Sequence, residues 1–150
     1  MKGMSQPRVL LDTNVLISGL VFAGGNEHRV LEAAERGEIW LVLPEFVLEE
    51  TRRVLGDKFS GYEGLLDVFL SRLEYDEVPW EAIEEVLPSC RGAIRDAKDV
   101  PILASIIVEA PGFVVTGDAA LRDDLSRCER FSGVRVLSSA QFLAQHEGRT

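Results

Sequence analysis

Apolar positions along the chain fall into two patterns. Short unbroken runs at residues 9–11, 39–43 and 112–116 read as strands of a parallel sheet, which are covered on both faces and so need not alternate with polar residues. A shorter run at 134–137 and a weak stretch at 75–79, closed by Pro79 and therefore placed at a sheet edge, complete the strands. Between them, apolar residues recur at three- and four-residue spacing. Helices are expected over 15–22, ended by Gly24-Gly25, and over 28–36, capped by Asn26, carrying Val30, Leu31, Ala33 and Ala34 and stopped by Gly37. Pro44 opens another over 45–55, and Leu65, Leu66, Phe69, Leu70 and Leu73 form the inner face of one over 65–73. Further helices follow at 80–87, at 101–108 behind Pro101, at 119–125, and at 139–145 capped by Ser138 or Ser139. Residues 56–64 are rich in turn formers, and 91–100 are charged without a period.

Strands that alternate with helices imply an α/β fold: a three-layer α/β/α sandwich around a central, mostly parallel sheet joined by right-handed crossovers. At 150 residues the chain fits one domain, with residues 1–7 as a flexible polar tail that lacks the apolar centre of a signal peptide. No apolar run reaches the ~18 residues of a membrane helix, so the expectation is a cytoplasmic protein with no membrane partner. Cys90 and Cys128 lack metal-ligand spacing and read as reduced thiols, with a disulfide between them as the lesser alternative. The formal net charge of −9 argues against a protein that coats nucleic acid and favours a metal, a basic partner, or both.

Four acids break the apolar pattern. Asp12 follows a strand directly and the strand over 112–116 runs into Asp118, so both emerge at the carboxyl edge of the sheet, where ligands collect in open α/β folds. Asp99 precedes Pro101 at the opening of an apolar helix, and Asp96 stands one turn earlier. Each of Asp12, Asp99 and Asp118 reads alone as a helix N-cap as readily as a ligand. Glu50 lies three or four residues from Phe46, Val47 and Val54, which turns it inward; the alternative puts it at the margin of that stripe with its carboxylate in water. Carboxylates gathered at one edge raise one another's pKa, and a divalent cation resolves that conflict. Oxygen-only ligands favour Mg²⁺ or Mn²⁺ over zinc.

The order of these motifs resembles the PIN-domain family of metal-dependent ribonucleases, many of which are toxins of toxin-antitoxin pairs. Leu10-Leu11-Asp12-Thr13-Asn14-Val15-Leu16 is similar to its first motif and Pro44-Glu45-Phe46-Val47-Leu48-Glu49-Glu50 to its second, which selects Glu50 over Glu49. Arg95-Asp96-Ala97-Lys98-Asp99 through Ala104 is similar to the third, and residues 113–118 with Leu121 to the fourth. Pro44 stands where many members have Ser, and Val100 where a related branch has a second Asp. The resemblance runs from Arg8 to Phe142 and implies one PIN-like nuclease domain over residues 8–146 with a sheet of about five strands. It implies Asp12, Glu50, Asp99 and Asp118 as the catalytic acids and as ligands of one or two Mg²⁺ or Mn²⁺ ions, with Asp96 as a further ligand candidate. Asn14 and Thr116 are implied as groups that hold the ligands by hydrogen bonds, although Thr116 also reads as a plain strand residue.

The resemblance also implies single-stranded RNA as substrate, an antitoxin protein as partner, and a homodimer. Arg52 and Arg53 beside Glu50, and Arg91, Arg95 and Lys98 beside Asp99, are the cations placed to meet phosphates; the other reading pairs them with nearby acids. His28 and His146 lack a catalytic companion and read as surface residues. A haloacid-dehalogenase-like phosphatase would need an acid where Asn14 stands, and a response-regulator receiver a lysine after its third strand-end motif, where none is suitably placed. The rival that remains is a PIN-like module that binds RNA or protein without cutting.

Overall fold

Five strands, all parallel, lie in the order β3-β2-β1-β4-β5: β1 (Arg8–Leu11), β2 (Trp40–Pro44), β3 (Tyr75–Val78), β4 (Phe113–Val115) and β5 (Arg135–Leu137). This is a computed structural model, and it describes residues 6–148. The expected tail lies outside the described residues as far as residue 5; Gln6 Nε2 donates to the Gly37 carbonyl at 2.6 Å, and the Pro7 carbonyl accepts from Trp40 N at 2.9 Å.

The central strands read as unbroken apolar runs because both of their faces are covered. Val9, Leu10 and Leu11 of β1 and Leu41, Val42 and Leu43 of β2 are all fully buried, and each such leucine contributes roughly 2 kcal/mol. Parallel neighbours require crossovers, which here are helices: α1 (Thr13–Val21), α2 (Asn26–Glu35), α3 (Glu45–Lys58), α4 (Leu65–Ser71), α5 (Trp80–Cys90), α6 (Val100–Glu109), α7 (Ala119–Ser126) and α8 (Ser139–Glu147). α1 packs on α2 and α3, and α2 on α8, while α5 and α6 pack together. The result is the three-layer α/β/α arrangement. β3 takes the edge position that Pro79 predicted.

Three local expectations change. Asn26 begins α2 rather than capping it; Gly25 occupies the cap and makes no side-chain bond. α3 passes through Gly56 to Lys58, because a helical glycine costs only about 1 kcal/mol and buried Leu55 anchors the turn, its carbonyl accepting from Phe59 N. α5 passes Pro88 to buried Cys90. One glycine is required by packing: a Cβ at Gly19 would lie 2.6 Å from Leu31 Cδ1 and 2.9 Å from the Glu27 carbonyl, so α1 and α2 approach closely only with glycine there. Among the described residues no helix is long and apolar enough to cross a membrane. Cys90 and Cys128 are both free.

Candidate functional site

The chain leaves β1 toward β2 and β3 on one side and returns to lay β4 and β5 on the other. The reversal places a crevice at the carboxyl ends of β1 and β4, the usual ligand position in such sheets. Asp12 ends β1 there, its N–H donating to the Val115 carbonyl at 3.1 Å. Its Oδ1 accepts from Thr13 N at 2.8 Å, so Asp12 does cap α1. Its Oδ2 accepts from the hydroxyl of Thr116 at 2.8 Å, and that hydroxyl accepts from Asp118 N at 3.1 Å. Thr116 is fully buried and ties the end of β1 to the turn after β4. Asp118 Oδ1 accepts from Leu121 N at 3.1 Å as the cap of α7.

A crossover helix runs antiparallel to the strands, so α6, which precedes β4, begins at this same edge. Asp96 caps the short 3-10 turn over Ala97–Asp99 by accepting from Lys98 N at 3.0 Å. Asp99 holds the cap position of α6 yet makes no side-chain capping bond, its backbone being already helical at φ −90°, ψ −3°. Of the three acids that read equally as caps, Asp99 is the one whose carboxylate has no capping task. Burial, then the charges of Asp118, Asp12 and Asp96, push its carboxyl up to about 6. Acids from β1, from the turn after β4 and from the start of α6 therefore act on one another.

Glu50 corrects an expectation. It is exposed, because the buried face of α3 is made by Val47, Leu48, Thr51 and Leu55. Thr51 takes the inward position and satisfies its own hydroxyl on the Val47 carbonyl at 2.7 Å. Glu50 sits at the margin of the stripe and joins the edge through Thr13, whose hydroxyl donates to Oε2 at 3.5 Å, the long limit for such a bond.

The remaining residues divide. Asn14 is exposed and makes no hydrogen bond to an acid among the described residues; Thr116 alone of that pair holds one. Arg95 is tied to Asp124 at 2.8 Å and Asp123 at 3.4 Å, Arg52 to Asp67 at 3.3 Å and Arg53 to Asp57 at 3.7 Å, so these three cations follow the paired alternative. Arg91 and Lys98 are exposed and make no ion pair among the described residues. His28 and His146, expected at the surface, are partly buried: His28 Nδ1 lies 2.9 Å from the Gly19 carbonyl, and His146 stacks on Phe142 with Nε2 2.9 Å from Glu38. The sequence reading missed Arg122, whose Nη1 donates to the Thr116 carbonyl at 2.8 Å. Its place four residues after Asp118 on one helix face was the available signal.

No three His, Cys, Asp or Glu side chains among the described residues form a ready-made metal cage. The mutual repulsion felt at Asp99 reaches farther than a coordination bond, so the two observations describe acids that are neighbours without touching. A hard cation of the magnesium type keeps several waters and uses one or two carboxylates directly, so it does not require three converging side chains. The donor set is oxygen only, and among the described residues none of Asp12, Glu50, Asp96, Asp99 and Asp118 makes an ion pair with Lys or Arg.

A family model described as PIN domain matches residues 8–120. No curated protein sequence matches the chain. Among solved structures, the chain is similar to that of VapBC2 from Rickettsia felis bound to a DNA fragment from their promoter, at 19% identity and a TM-score of 0.61 over 86% of this chain and 96% of that one. It is also similar to FitAcB from Neisseria gonorrhoeae, at 18% identity and a TM-score of 0.58 over 88% of this chain and 98% of that one. At such identities the likeness is one of fold.

Proposed function

The chain belongs to the PIN-domain family, and from that premise we propose that it is a metal-dependent endoribonuclease that hydrolyses phosphodiester bonds of single-stranded RNA, as the toxin of a toxin-antitoxin pair. The observation that carries the reading is Asp99, a carboxylate freed from capping and pushed up to about 6 where Asp118 and Asp12 face it. Like charges gathered at a ligand-binding edge oppose one another, and a cation there would offset that repulsion.

Asp12, Asp99 and Asp118 would hold one or two Mg²⁺ or Mn²⁺ ions, with Glu50 and Asp96 at the rim. When bound, such a cation supplies positive charge that acidifies a water and offsets the charge on the leaving oxygen. The chain's own residues supply position. The Thr116 hydroxyl fixes the rotamer of Asp12, and the Thr13 N–H fixes its second oxygen, so the carboxylate presents its remaining lone pairs in one direction. Arg122 steadies the Thr116 carbonyl and so the turn that carries Asp118. Arg91 and Lys98, which precede Asp99 in the chain and make no ion pair among the described residues, draw the phosphate backbone to an otherwise acidic surface. The antitoxin partner rests on the family resemblance and on the likeness to VapBC2 and FitAcB.

The test is cleavage of an unstructured RNA by wild type and Asp12→Asn across a Mn²⁺ titration. Cutting that requires the metal and is lost in the variant is expected. Tight RNA binding with no cutting by either protein makes the chain a binding module instead.

A further inference from the structure

Beside the acid cleft, at the carboxyl ends of β1, β4 and β5, a groove of about 240 Å³ opens between the start of α1, the start of α2 and the turns after β4 and β5. It shares a wall with the cleft: Asn14 lies two residues past Asp12, and Gly117 lies between Thr116 and Asp118. The character of the two spaces differs. The cleft is anionic, whereas the groove presents the neutral groups of Asn14, Ser18, Asn26 and Ser138, with Glu27 as its one charged residue. The Asn14 and Asn26 amides and the Ser18 hydroxyl make no hydrogen bond within the described residues, so their donors and acceptors remain available to a ligand. Val15 and Ala140 add an apolar patch.

Without a lysine or arginine in its lining the groove suits neither phosphate nor carboxylate. Paired donors and acceptors around a small apolar patch suit a neutral, planar, hydrogen-bonding group, and the volume, below the roughly 300 Å³ at which drug-sized sites begin, suits one such unit. We propose that the groove is a nucleoside subsite, holding the base and ribose of the nucleotide next to the phosphate in the cleft. The proposal rests on the nuclease reading above and adds to it a source of base preference: amides and hydroxyls that pair with the edge of one base better than with another. Gly117 lines the groove, a Cβ there meets nothing within 4 Å, and its backbone is outside the left-handed region, so a larger residue is accepted at the groove's wall without a clash.

The experiment is an NMR titration of the ¹⁵N-labelled, metal-free protein with uridine, cytidine, adenosine and guanosine, probes that carry no phosphate. Saturable shifts at residues 14, 18, 26, 117 and 138, stronger for one base than for the others, are expected. Gly117→Val and Asn14→Ala should each weaken that binding about tenfold, with dispersed spectra showing that both remain folded; if the valine variant unfolds, the exposed Asn14→Ala carries the test. No saturable shift with any nucleoside, shifts that map elsewhere, or affinity unchanged in the folded variants overturns the subsite. Cleavage of RNA without nucleoside binding removes the subsite alone. Nucleoside binding with no metal-dependent cleavage by wild type removes the nuclease reading and keeps the subsite.

Discussion

The two ends of β1 treat charge in opposite ways. At the amino end, Arg8 is partly buried and fully answered: Nη2 lies 3.1 Å from Asp76 and 2.7 Å from Glu109, and Nη1 donates to the Glu109 carbonyl at 2.7 Å. At the carboxyl end, four residues along, Asp12 meets hydroxyl and amide donors and, beyond them, other acids. Opposite charges brought together over long sequence separations hold β1 to β3 and α6. Like charges brought together by the same scaffold hold nothing and instead cost stability. The first arrangement is what folding needs, and the second is what a cation-binding function needs.

The largest effect short of removing an acid is expected at Thr116→Val, which keeps the shape of a buried strand-end residue and deletes the hydroxyl between Asp12 and Asp118. Mn²⁺ affinity measured by calorimetry should fall about 10- to 100-fold with the far-ultraviolet circular dichroism unchanged; an unaltered affinity would make Thr116 a packing residue only.

At the other end, Arg8→Met should lower stability by about 2 kcal/mol in urea unfolding, since it removes the charge that Asp76 and Glu109 share, and should leave RNA cleavage intact. Loss of cleavage there would end the division between the two ends of the strand.

Asp99→Asn sharpens the contrast by moving the other way. Asp99 ionises near 3.8 when unfolded and near 6 in the fold, so between those values the folded state binds more protons and stability falls as pH rises. Above about 6 the whole penalty is present, about 1 kcal/mol after allowing for solvent. The asparagine variant should therefore melt higher than wild type at pH 7 without metal, bind Mn²⁺ poorly, and lose that advantage below pH 4. A variant that melts lower at pH 7 would show that Asp99 is held by a favourable contact.

The smallest effect belongs to an exposed group with partners. Hydrogen bonds from Arg36 and then His146 hold the Glu38 carboxyl down from 4.5 to about 2. Its stabilisation is present above pH 4.5 and disappears as pH falls toward 2, and solvent screening keeps it under about 1 kcal/mol. Glu38→Gln should flatten the acid limb of the unfolding curve only slightly.

Much of this was legible in the chain because the signals are local. An unbroken apolar run such as 9–11 specifies a strand covered on both faces, and an acid directly after it can only emerge at the carboxyl edge. Two such strands, one followed at once by Asp12 and the other by Asp118 after a short turn, fix a shared edge whatever the rest of the chain does. Glu50 was harder. Periodicity places a residue to within one position around a helix, and between Glu50 and Thr51 the choice fell to the residue that could satisfy its own hydroxyl on the preceding turn. The sequence left Arg95 open between phosphate and an acid, because Asp123 and Asp124, which bind it, are 28 and 29 residues away.

The sequence by itself determined the alternation of strands and helices, the edge at which the acids emerge, and the family. Tertiary structure decided which acids cap helices, that Asp99 is spared, that Thr116 bridges Asp12 and Asp118, and which arginines are paired. The reason is range: hydrophobic spacing is written within a few neighbouring residues, whereas a hydrogen bond from residue 116 to residue 12 exists only once β4 has been laid beside β1.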